Sequence, residues 1–391
     1  MSLPASIRAI LERLRHRGVE VEATSEACWA EPSRQNEVDT GEAERESGGP
    51  ALPEALVLRL VRVGSGLARG SLHQAELDAV LSGLTALPSD AVAVAEATVA
   101  QCILRGHHES GRIPTTPRTS RAADLARLRA TPGLERLFVF HPDGYVREAA
   151  LRALDGPVRT SFEVATLVYR LNDWARPVRA AARDCAVRVF PQTGAEVLVD
   201  ALIALFHRMP AWQRWQEDQA ATQPIIGGLM ARPDVCAWLV AHLRTARTGR
   251  MGGTLRRACQ WPGLDPDLPD LARHAALPSV RAWALRFLIE GRATWPEGTR
   301  REWVDKRYGL TRRVRVIGER RLAPTSDLKA LIEMGAEDRS GAVRRVAADG
   351  LAVHRATLAE PMHALVERLA DDKSPSVRWR AAFILKERAA R

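Results

Sequence analysis

A short pattern, Val-Arg followed by small residues and a later Leu or Phe, recurs six times in the back two-thirds of the chain. The copies read VREAALRAL from Val146, VRAAARDCAV from Val178, VRAWALRFL from Val280, VRVIGERRL from Val314, VRRVAADGL from Val343 and VRWRAAFIL from Val377. Their anchors are 32, 102, 34, 29 and 34 residues apart, and 102 is three periods of 34. A period of this length marks stacked supersecondary units, each of which buries its apolar face against its neighbours. This feature predicts an all-α fold, an α-solenoid, and a solenoid is chiefly a binding surface.

In the first copy Val146, Ala149, Ala150, Ala153 and Leu154 share one stripe of a helix, and the alanines admit a close neighbour. A polar turn and a second apolar segment follow several copies, at 162–171, 195–206, 326–334 and 360–369. Asp173, Asp338 and Asp372 stand five residues before a Val anchor. These helix–turn–helix units resemble HEAT repeats. The resemblance implies that the Asp and the Arg after Val form structural bonds within and between repeats. It extends from about residue 119 to the C-terminus and gives about eight HEAT-like helix pairs. Two of them, eroded, fill the long gap between about 207 and 277, and the last copy is a cap without a second helix.

The order along the chain is then an amphipathic helix over 1–18, an acidic flexible linker over 19–50, a divergent helical N-terminal cap with a loop over 51–118, and the repeat array over 119–391. Residues 19–50 carry nine acids against two arginines and no period, too little apolar surface to offset chain entropy. No run of 18 uncharged apolar residues is present, so no membrane span is expected. The five cysteines form no CxxC and no regular pairing, which fits buried thiols in a reducing cytoplasm and disfavours zinc. Strands are expected to be essentially absent.

The net charge is +10, and only four of the 57 basic residues are lysines: Lys306, Lys329, Lys373 and Lys386. A basic solenoid can meet nucleic acid. A GC-rich genome gives the same Arg-for-Lys tilt without any phosphate contact.

Arg179, Arg344 and Arg378 have the Asp before their Val and read as structural. Ala275 and Gly309 fill that position before Val280 and Val314, so Arg281 and Arg315 read as unpaired. Together with Arg286, Arg312, Arg313 and Arg320 they are the candidate lining of an anionic-partner groove. Trp212, Trp215 and Asp218, spaced i, i+3 and i+6, are the candidate aromatic and acidic cluster. Certain HEAT-like DNA glycosylases are similar, holding a cationic nucleotide with tryptophans and an Asp.

Other constellations favour structure over chemistry. Gly64, Gly66 and Gly70 are one residue too widely spaced for a dinucleotide loop and read as helix-terminating glycines. His107, His108 and Glu109 form a single loop cluster, short of the ligands a metal centre needs. No nucleophile elbow or triad stands out. No catalytic residue, metal or cofactor is therefore expected. The leading expectation is a cytoplasmic, non-enzymatic scaffold for a protein partner, followed by nucleic-acid binding around 281–321 and then by a glycosylase.

Overall fold

The computed structural model describes residues 52–109, 117–323, 327–355 and 360–389, so the expectations for 1–18 and 19–50 lie outside them. The described chain is mostly helical, with one two-stranded sheet. Three helices open it: α1 (Glu54–Arg69), α2 (Gln74–Thr85) and α3 (Val92–Glu109). Gly64 and Gly66 lie inside α1, and only Gly70 ends it, in the left-handed region.

Helices then follow in pairs: α4 (Pro117–Ala130) and α5 (Leu134–Phe138), α6 (Gly144–Ala153) and α7 (Ser161–Arg170), α8 (Arg176–Val189) and α9 (Ala195–Leu205). The short α10 (Gln213–Glu217) leads into α11 (Gln219–Met230) and α12 (Pro233–Thr245), then α13 (Met251–Ala258) and α14 (Leu268–His274). After α15 (Pro278–Glu290) come strands β1 (Arg292–Asp305) and β2 (Leu310–Arg321), then α16 (Leu328–Ala336). The chain closes with α17 (Gly341–Val353), α18 (Glu360–Ala370) and the solitary α19 (Pro375–Ala389).

The helix starts are written locally. Pro177, Pro278 and Pro375 sit in the first turn, where a missing N–H costs nothing. Thr160 and Glu163 form a reciprocal capping box on α7. First helices pack on first helices, α6 on α8, α13 on α15, α15 on α17 and α17 on α19. Second helices do likewise, α7 on α9, α9 on α12 and α12 on α14. Val146, Val178, Val280, Val343 and Val377 are all fully buried in that packing, with Ala150, Ala182, Ala284, Ala347 and Ala381 beside them.

Arginine–aspartate rungs tie successive units together. Arg147 donates through Nε and Nη2 to both carboxylate oxygens of Asp173, at 2.9 Å each, and through Nη1 to the carbonyls of His141 and Pro142. Arg281 clasps Asp338 in the same way, at 2.7 and 2.9 Å, with Nη1 on the carbonyls of Ala275 and Ala276. Arg344 clasps Asp372 at 2.6 and 2.8 Å. Arg179 reaches Asp218 at 2.5 Å. Each acceptor belongs to the following unit, and Asp173, Asp338 and Asp372 each also accept the N–H two residues on. The two halves of the arginine thus measure two turns at once, its own and the next.

Two expectations are corrected by these rungs. Arg281 is not an unpaired surface cation, because its partner is the Asp of the next unit and its side chain is buried. Arg378 is not the partner of Asp372. It donates only to the carbonyls of Asp372 and Lys373, while Arg344 holds the carboxylate. His141 takes the Asp place in its own unit: its Nδ1 accepts the Asp143 N–H, and its Nε2 lies 3.4 Å from buried Asp124.

The Val314 copy is the third correction. It is not a repeat helix but most of β2, and strands are present. VRVIGERR alternates sides as well as matching Val-Arg, and the inserted hairpin is close to one repeat in length. The insertion therefore preserved the spacing while changing the structure.

Candidate functional site

The hairpin is pinned at its base and free beyond it. From Arg292↔Arg321 to Asp305↔Leu310 the strands pair antiparallel, with irregularities after Pro296 and Trp303. Ala293 and Trp295 turn inward and are buried. Trp295 lies across Gly318, where an added Cβ would stand 2.4 Å from the indole Nε1, so only glycine admits the ring. Arg320 fastens β2 to the helical body through Asp265, at 2.5 and 2.8 Å, and the carbonyls of Cys259 and Trp261. Gln219 donates to Glu297 at 2.8 Å. Gly309 makes the turn at the far end with φ +64, a conformation that costs other residues about 1 kcal/mol or more.

Past Gly298 the two faces of the ribbon differ in charge. On one, Glu302 receives Arg300 at 2.8 Å and Arg312 at 3.0 Å. Those hydrogen bonds hold its carboxyl below the ordinary carboxylate range. On the other, Thr299, Arg301 and Trp303 of β1 stand opposite Arg315, Arg313 and Thr311 of β2. That stretch carries three arginines, with Trp303 60% exposed at its outer end. Arg301 and Arg313 are cross-strand neighbours, an arrangement that opposes pairing by up to about 1 kcal/mol. Seven residues of strand beyond the base reach roughly 23 Å at the usual rise.

The six expected groove arginines divide into distinct sets. Arg281, Arg286 and Arg320 are engaged with Asp338, Asp349 and Asp265. Arg312 is paired with Glu302 on the opposite face, where one carboxylate answers two arginines. Only Arg313 and Arg315 lie on the outward basic face, and they lie on a strand rather than on successive helices.

The Trp212, Trp215 and Asp218 cluster does not form an open pocket. Trp212 precedes α10 in an extended conformation, so the three do not share a helix face. Trp215 is buried and packs edge-on to Trp212, which packs edge-on to Tyr169. Asp218 is the acceptor of the Arg179 rung and also lies 3.7 Å from Arg183. Trp215 is thus a core residue, and Asp218, part-exposed, already serves Arg179 rather than standing free as the acid a glycosylase needs.

Among the described residues no group of His, Cys, Asp and Glu could hold a metal ion. The side chains of His107, His108 and Glu109 lie outside those described. Cys102, Cys185, Cys236 and Cys259 are buried and free, and burial pushes the Cys185 thiol up to about 11.

Residues that the sequence reading passed over are Arg301, Trp303, Arg256 and Trp283. The signal for the first two was the two-residue alternation of TRREWVD facing LTRRVRV, with a Gly-containing turn between. It was hidden by the coincident Val-Arg match. Comparison with protein-family models, with curated proteins and with solved structures finds no match for this chain.

Proposed function

We propose that this protein is a non-enzymatic α-solenoid of the HEAT type that binds a nucleic-acid duplex through the projecting ribbon. One observation carries the reading: the strand register gathers Arg301, Arg313 and Arg315 on one face of the ribbon, together with the exposed ring of Trp303. A two-stranded ribbon fits the major groove, and arginines on it reach phosphates and base edges. The forward-reaching rungs support the HEAT-type stack, because they tie each unit to the next. Unpaired buried thiols fit a cytoplasmic setting.

Fluorescence anisotropy with a labelled DNA duplex tests the reading. The full-length protein should bind with strong salt dependence, and Arg301→Gln with Arg313→Gln should weaken binding at least tenfold across sequences. Equal affinity of the double variant, with folding intact, overturns the role given to the ribbon.

A second reading, a protein partner held on the helical body, draws on one feature. Tyr145 and Trp174, 61% and 66% exposed, flank an open cleft of about 400 Å³ with Arg121, Pro142 and Pro177. Exposed aromatics around a cleft are what a peptide anchor needs. Tyr145→Ala with Trp174→Ala should leave duplex affinity unchanged and abolish capture of such a partner.

A further inference from the structure

At the root of the ribbon, cations gather on one aromatic ring. The Arg256 guanidinium of α13 lies over the Trp283 ring of α15 at 4.0 Å from its centre, and Arg286 lies 5.4 Å from the same ring. The Nε of Arg256 makes one long bond, 3.4 Å, to the Thr294 carbonyl of β1. No carboxylate of the described residues forms an ion pair with it. The charges acting on it are Arg286 and Arg315, both positive, and together with burial, the larger cause, they push Arg256 down to about 10. Asp349, at 3.0 Å, and Glu290, at 3.9 Å, reach Arg286 but not Arg256, and both are shared, with Arg380 and Arg292 respectively. Next to it, buried Arg257 donates to the Pro296 carbonyl at 3.2 Å, and its Nε has no partner.

Rungs elsewhere neutralise an arginine with an aspartate, and a half-buried cation between two like charges is a cost in the free protein. An anion placed against the Arg256 guanidinium, beside Arg286 on the same ring, would remove that cost. A phosphate oxygen suits the guanidinium fork, and the indole holds the Arg256 plane in place without competing for its donors.

We propose that Arg256 and Arg286, gathered on the Trp283 ring, form a seat for a single phosphate group where the ribbon leaves the helical body, with Arg315 of β2 contributing its charge. The source of that phosphate, the backbone of a bound duplex, rests on the function proposed above. The seat itself does not. Its position at the ribbon root would fix the register of a duplex lying along the outward face, as phosphate contacts do generally.

The test compares the wild type with Arg256→Gln, Arg256→Lys and Arg315→Gln, titrated with a DNA duplex over a salt series and, separately, with inorganic phosphate followed by thermal melting. Arg256→Gln should lower duplex affinity about tenfold and reduce the salt slope by about 0.9, the share of one phosphate contact. Arg256→Lys should restore the slope but only part of the affinity. Inorganic phosphate should raise the melting temperature of the wild type and not that of Arg256→Gln. Should Arg256→Gln fail to fold, exposed Arg315→Gln gives the same readings. An unchanged slope in folded Arg256→Gln, while the Arg301 and Arg313 variants weaken binding, overturns the seat and leaves the ribbon standing. Phosphate protection that depends on Arg256, in a protein that binds no duplex, keeps the seat and removes the ribbon reading. Neither effect removes both.

Discussion

Arg281 and Asp338 are separated by 57 residues of chain and meet in a two-bonded clasp, with the whole β ribbon looped out between them. The clasp joins α15 to the turn before α17, so the ribbon is inserted within one unit without breaking the contact between units. The arginine side chain is nearly fully buried and the carboxylate largely so. Breaking such a pair by removing one member leaves an uncompensated charge and costs about 3–5 kcal/mol. Arg281→Ala and Asp338→Ala should each lower stability by an amount in that range, read by chemical denaturation. A loss under 1 kcal/mol for either would mean that the rung does not join the units.

Arg378 is the control for this grammar. It makes the carbonyl half of a rung, but among the described residues no following unit offers an aspartate, and its side chain is exposed. Arg378→Ala should stay within about 0.5 kcal/mol of the wild type. Arg344→Ala should cost clearly more, because Asp372 would lose both of its guanidinium bonds.

Asp173 gives a pH dependence. Burial pushes its carboxyl up, but the Arg147 hydrogen bonds, the Arg170 charge and the Ala175 N–H outweigh burial and hold it below its ordinary value of 3.8. A lowered folded-state value means that the unfolded chain takes up the proton more readily. The stabilisation is therefore complete above about pH 4 and is lost as pH falls through the folded value. Asp173→Asn should be less stable at neutral pH and show a flatter acid limb in denaturation midpoints measured from pH 7 to pH 2. A parallel limb would contradict the assignment.

How far these relationships could be read in advance depended on their range. The helix stripes of Val146 and Val343 were legible because a local 3.6-residue period decides them. The pairing of Arg344 with Asp372 rather than Asp338 was not. Both aspartates lie at repeat-equivalent positions, and only the stacking of units determines which one the guanidinium fork reaches. The Val314 segment misled for a related reason. Short apolar-polar runs satisfy helix and strand periods together, and the choice was made by Trp295 covering Gly318 and by Arg320 reaching Asp265, both contacts across the fold. Arg313 and Arg315 stood out as residue types, but Arg301 and the face all three share needed the strand register.

Gly318 should be the least replaceable residue of the ribbon base. Gly318→Val would drive a branched side chain into the Trp295 indole. Displacing that ring should cost about 1–3 kcal/mol and expose Trp295 to water. Tryptophan emission should shift to the red, and duplex affinity should fall although no arginine has changed. An unshifted spectrum with full stability would mean that the base is not held by this contact.

The outward ribbon face, rather than the arginine rungs of the helical body, carries most of the binding energy. The most direct measurement replaces residues 299–315 by Asn-Gly, which closes a two-residue hairpin above the intact base, and compares duplex affinity with that of the full chain from low to physiological salt. The helical spectrum and melting transition should be unchanged, with affinity and salt slope both reduced to the level of weak nonspecific contact. A shortened protein that binds the duplex as tightly as the full chain, with the same salt slope, would contradict this.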